Sequence, residues 1–164
     1  MQPSLQKKMD ALEQMMDDEG FLRGEGQGNE LSYYVFDYDP KDEWVVRRFV
    51  NRLVRQSSRR IVNVNLYQAV LSLFEDEVGL DTLFEIEATE GTARLQRAMM
   101  PVLDSDRLVR SVAAAAEGAE ALLLTGVGSL YPLLRSHGVL NRLHEWVTDV
   151  PVVLFSPART TEAS

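Results

Sequence analysis

Residues 121–155 read ALLLTGVGSLYPLLRSHGVLNRLHEWVTDVPVVLF, and the parsing of this stretch decides the fold. Leu122, Leu123 and Leu124 form a short unbroken apolar run, the pattern of a strand covered on both faces. Thr125-Gly126-Val127-Gly128 supplies a turn, Ser129 is placed to cap a helix, and Pro132 is tolerated in a first helical turn. Gly138 divides the helical region into residues 130–136 and 140–147. PVVLF, residues 151–155, is a second buried strand. Strand, helical crossover and strand together make one parallel βαβ unit.

The preceding chain extends this pattern. Residues 4–19 carry Leu5, Met9, Leu12, Met15 and Met16 at helical spacing, with Ser4 as N-cap. Asp17, Asp18 and Glu19 stand at the helix end, where the dipole disfavours acids, so fraying is expected at Gly20. Residues 20–30, with Gly24, Gly26 and Gly28, read as a linker; their GxGxG spacing follows a helix rather than the strand that a dinucleotide fingerprint needs. LSYYVFDYD (31–39) is a strand. Asp39-Pro40 then opens a helix to Gln56 with Val46, Phe49, Val50 and Leu53 facing in. Arg48, Arg52, Arg55 and Arg59, at i, i+4, i+7 and i+11, share an arc on its other side.

Residues 61–66 form another strand, and a helix from Leu66 stops near Gly79. A short helix over 80–90 and a restart capped by Thr89 or Thr92 run to Met100. After Pro101, a helix capped by Asp104 or Ser105 ends at Gly118. The expected fold is α/β, three-layered and P-loop- or Rossmann-like without a Walker lysine: a small, mainly parallel sheet of about four strands with helices on both faces. Residues 1–155 make one domain, with helix 4–19 and linker 20–30 as an N-terminal extension and 156–164 as an unstructured tail. Ligands of such sheets bind beyond the carboxyl ends of the strands. That edge gathers Asp37, Asp39, Asn63, Asn65, the Thr125–Ser129 turn and Ser156.

Composition narrows the function classes. No apolar run approaches the ~20 residues of a membrane span, and the N-terminus lacks a signal-peptide core. Cysteine is absent, so there is no thiolate metal site and no cysteine nucleophile. A cytoplasmic location is expected. The net charge of −8 opposes general nucleic-acid affinity. It also hides two poles: seven bases against two acids over 41–60, and seven acids with no base over 75–90.

The Thr125–Ser129 turn sits where a phosphate loop would, but lacks the lysine and the spacing. It reads as a tight corner first and an anion or nucleotide site second. His137 and His144 have no third ligand at metal spacing, and Gly128-Ser129 is not a nucleophile elbow. No metal, cofactor or catalytic residue is expected. Both histidines read first as capping or packing at a helix end; the alternative is that Arg135 and His137, at the break of the helix, lie on a partner-facing surface. The arginine stripe is also a candidate for such a surface, unless it simply faces the acid run or solvent. Met15 and Met16 fill the core or an interface.

FDYDPKDEW (36–44), and above all LLLTGVGSLYPLLRSHGVLNRLHEW (122–146) followed by PVVLF, resemble the BrxB family of bacteriophage-exclusion (BREX) defence systems. The likeness runs from about residue 30 to 155, and Thr125 to His137 is its most specific part. It implies a cytoplasmic component of a multiprotein anti-phage system that also includes a methyltransferase, a large ATPase and the alkaline-phosphatase-like PglZ. It implies no catalytic residues; the expected role is a non-enzymatic adaptor or regulatory subunit with PglZ as partner. Relatives follow the last strand with a Tyr-Pro-Gly-type turn, where this chain has SPARTTEAS. The alternatives are a degenerate nucleotide-binding domain and a DNA-contacting subunit using the arginine stripe. The missing lysine weighs against the former and net acidity against the latter.

Overall fold

A computed structural model describes residues 3–22, 33–98, 106–128, 139–147 and 150–157 and contains the four expected strands. Helices α1 (Pro3–Asp17) and α2 (Glu19–Leu22) precede β1 (Tyr33–Asp37). A 3-10 turn, Pro40–Asp42, leads into α3 (Glu43–Gln56), then β2 (Ile61–Asn65), α4 (Leu66–Val78), α5 (Leu80–Ala98) and α6 (Asp106–Ala115). Strand β3 (Ala121–Thr125), helix α7 (Val139–Trp146) and strand β4 (Val152–Ser156) complete the described elements. The sheet order is β1-β4-β3-β2 and every pair is parallel.

The central strands are apolar on both sides because both sides are covered. Ala121 and Leu123 of β3, with Val153 and Phe155 of β4, pack with Phe36 against α1, α2 and α3. Leu122 and Leu124, with Val152 and Leu154, pack against α4, α5, α6 and α7. The β1-to-β2 crossover and the later crossovers run in opposite directions across the sheet. Right-handed connections therefore place α3 on one face and the later helices on the other. This is the expected three-layer α/β arrangement.

Several boundaries differ from the expectation. Helix 4–19 is split and begins at Pro3, which places Ser4 inside α1. The Asp18 carboxylate accepts from Gly20 N–H at 2.9 Å, so Gly20 sits within the short α2 instead of fraying, and Leu22 is buried. Met16 is buried and Met15 packs against the same cluster, which assigns both to the core. The break in α5 falls at Gly91 (φ 85°), while Thr89 donates to Glu85 C=O inside the helix. Ser156 belongs to β4, paired with Asp37 and buried, so the tail loses its first residue. The rest of the tail from 158, linker residues 23–30, Asp104, Ser105 and the helix piece at 130–136 lie outside the described residues.

Leu123 is fully buried at the centre of the sheet. Leu123→Ala is expected to cost about 2–5 kcal/mol of unfolding free energy, read from urea denaturation.

Candidate functional site

The pleat of β2 points Asn63 and Asn65 to the same side as Ile61, toward the α3 layer, but beyond the apolar part of that layer. Register pairs Asn65 with Thr125. Thr125 and Asn63 bond side chain to side chain at 2.9 Å. The Asn65 carboxamide oxygen accepts from Gln68 N–H at 3.0 Å and so caps α4. Gly126 has φ 72°, and a Cβ there would strike the Asn65 carboxamide. The glycine turn is therefore held to glycine twice over, by backbone conformation and by the neighbouring cap.

Opposite this wall stands α3. Val46, Arg47, Val50 and Asn51 face Asn63, Gln68 and the Thr125–Gly128 turn across a cleft of about 700 Å³ at the carboxyl edge of the sheet. Tyr38 O–H donates to Glu43 Oε1 at 2.6 Å, and Arg47 Nε donates to Glu43 Oε2 at 2.7 Å. Burial, then the Glu43 hydrogen bond and charge, push the Tyr38 phenol well above its ordinary pKa, so it stays a neutral donor. Both oxygens of Glu43 are thus engaged. The cleft offers carboxamides, hydroxyls and one guanidinium. Among the described residues no group of three His, Cys, Asp or Glu side chains is placed to hold a metal ion.

Two acids expected at this edge are engaged elsewhere. Lys8 Nζ bonds Asp37 Oδ1 at 2.8 Å and its carbonyl at 2.9 Å, tying α1 to the end of β1. Asp39 caps the 3-10 turn through Lys41 N–H at 3.0 Å. The lysine hydrogen bond holds the Asp37 carboxyl below its ordinary range.

The other side of α3 faces α1 across a groove of about 520 Å³. Met9, Val45 and Phe49 line it with Arg48, Arg52 and Arg55. The Arg52 guanidinium lies 5.5 Å from the centre of the Phe49 ring and 3.9 Å from Glu13. Arg55 donates weakly to Asn51 C=O at 3.4 Å. Arg48 and Arg55 enter no ion pair among the described residues. Arg59 leaves the stripe. Helix α3 stops at Gln56, Ser57 Oγ accepts from Arg59 N–H at 3.0 Å, and the guanidinium sits between Glu19 (3.6 Å) and Glu120 (3.4 Å). The acid run of α4 and α5 lies on the opposite face of the sheet, so it does not face these arginines. Ser129, Arg135 and His137 lie outside the described residues.

Sequence reasoning placed Asn63, Asn65 and the glycine turn at this edge but missed Tyr38, Glu43, Arg47, Asn51 and Gln68. The Glu43–Arg47 spacing of i,i+4 was the available signal.

A four-stranded parallel sheet between two helical layers, with an amide-rich cleft at its carboxyl edge and an arginine-rimmed groove, defines a small three-layer α/β protein. A family model described as BREX protein BrxB matches residues 62–164. The BREX protein BrxB of Bacillus cereus (strain H3081.97) is 32% identical over 161 residues, covering 93% of this chain and 84% of the relative. That of Escherichia coli O9:H4 (strain HS) is 23% identical over 159 residues, covering 94% and 80%. The chain belongs to the BrxB family. No solved structure matches it. The matched segment of the family model begins within β2, whereas α3 falls before it.

Gly126→Ala is expected to destabilise by about 1–3 kcal/mol in urea unfolding. Combined with Asn65→Ala the costs should add to less than their sum, because the first loss includes a clash that the second removes. For Asp37, a depressed folded pKa means its contribution is present above the ordinary carboxylate range and fades as pH falls through the folded value. The stability gap between wild type and Asp37→Asn should therefore be constant above about pH 5 and shrink below about pH 4.

Proposed function

We propose that this chain is a non-enzymatic, cytoplasmic adaptor of a BREX anti-phage system and binds the alkaline-phosphatase-like PglZ through the exposed side of α3. The observation that carries the surface assignment is one helix stripe. Trp44, 75% exposed, precedes Arg48 by one turn, and Arg52 and Arg55 continue the line. Tryptophan and arginine are the residues most often found at the energetic centre of interfaces. Among the described residues no core or ion-pair role accounts for Trp44, Arg48 and Arg55 together. Membership of the BrxB family supports partners among other BREX proteins. No described helix is long and apolar enough to cross a membrane.

A second reading rests on the carboxyl-edge cleft, whose rim includes the Gly126–Gly128 turn: a degenerate nucleotide site.

The wild-type chain should co-purify with PglZ of its own system. Reversing Arg52 and Arg55 to glutamate should weaken that complex by about tenfold or more, with the melting temperature little changed. A rise in melting temperature with ATP or GTP, absent in Gly128→Val, would favour the second reading. Steeply salt-dependent duplex binding by the chain alone would favour DNA contact.

A further inference from the structure

We infer that the groove between α1 and α3 seats an acidic segment of a partner protein that carries a bulky apolar side chain, an inference that rests on the adaptor reading and specifies its partner chemistry. The groove has two chemistries at once. Half-buried Val45, with the edges of the buried core residues Met9 and Phe49, gives it an apolar floor, and Arg48, Arg52 and Arg55 give it a cationic rim. Among the described residues, Glu13, 3.9 Å from Arg52, is the acid within ion-pair distance of this rim. The chain around it is strongly acidic overall, with a net charge of −8, so the rim is a local exception.

The rim arginines lie between positions 48 and 55 of one helix, which spaces their ends by roughly 10 Å. A short segment with carboxylates on successive helical turns, or on alternate residues of an extended strand, spans that distance. Guanidinium forks match carboxylates bidentately. The Phe49 ring, 5.5 Å from the Arg52 guanidinium, attracts it at cation–π distance. A leucine or phenylalanine between the acids would reach the floor.

Two other occupants fit less well. A nucleic-acid backbone has phosphates for the rim but nothing to fill an apolar floor, and the net charge repels it. A second copy has the right chemistry on α5, where Phe84 is 60% exposed among Asp81, Glu85 and Glu87. That segment lies on the far face of the sheet, so copies would join head to tail through unlike surfaces.

The test uses the full chain and a labelled synthetic peptide in which glutamates flank a central leucine, read by fluorescence anisotropy at low and physiological salt. The acidic peptide is expected to bind about tenfold or more tighter than its lysine counterpart. Replacing its leucine by alanine should weaken binding, and so should Arg48→Glu with Arg55→Glu. Arg48→Gln with Arg55→Gln supplies the same reading if the reversal fails to fold.

An acidic peptide that binds no better than the lysine one, or binds the variants equally well, overturns the proposal. So does an equal affinity for the alanine peptide, tighter binding of duplex DNA, or concentration-dependent self-association lost in both Phe84→Ala and the arginine variant. PglZ capture keeps the two readings apart. Capture that survives Arg48→Glu with Arg55→Glu leaves the adaptor standing without this groove. Peptide binding without PglZ capture leaves the groove standing and removes that partner.

Discussion

Everything in this molecule depends on two parallel strands that are apolar on both faces. Strands β3 and β4 have no side to offer water: Ala121 to Leu124 and Val152 to Phe155 are all buried. A sheet centre of this kind demands a helical layer on each side. Chain connectivity then decides which helices go where. The long return from β1 to β2 carries α3 over one face, beside α1. The stepwise connections back toward the centre carry α4 to α7 over the other. The cleft and the groove both follow from that division, since each is bounded by α3 and neither exists without the crossover.

Helix α3 works on three fronts. Its inward stripe, Val46, Phe49, Val50 and Leu53, seals the sheet. One flank, through Arg47 and Asn51, closes the carboxyl-edge cleft. The other, through Arg48, Arg52 and Arg55, forms the groove rim. Its start is pinned by a short chain of bonds from the Tyr38 phenol through Glu43 to Arg47, which ties the end of β1 to the first turns of the helix. The helix can thus present different chemistry on each side without shifting, because its position is set by apolar burial and by this polar clasp.

The central strands were legible because a short, continuous apolar run bounded by turn residues suits a strand covered on both faces and little else. Half of the cleft was legible for a related reason: a parallel sheet collects whatever follows its strands, so Asn63, Asn65 and Gly126 had to meet. The other half depends on which end of the sheet α3 crosses, a tertiary fact that no local spacing encodes. That is why Arg47 and Asn51 were missed. Arg59 shows the same limit. Helical spacing assigned it to the stripe, but Ser57 ended the helix, and Glu120, remote in sequence, captured the side chain. The relation of the basic and acidic runs was likewise settled by strand order and not by composition.

The strand order also governs when the fold can form. Strand β4 is the last of the described elements along the chain, yet it lies between β1 and β3. On a ribosome, β2 and β3 can pair early, while β1 has no neighbour to pair with until residues 152–156 have left the exit tunnel. The apolar side of α1, which shares a buried cluster with Phe36, Leu123, Val153 and Phe155, waits equally long. Helix α1, which precedes every described strand, is thus among the last of the described elements to be secured. Packing between α1 and β4, which are far apart in sequence and therefore slow to meet, is what completes the groove on α3.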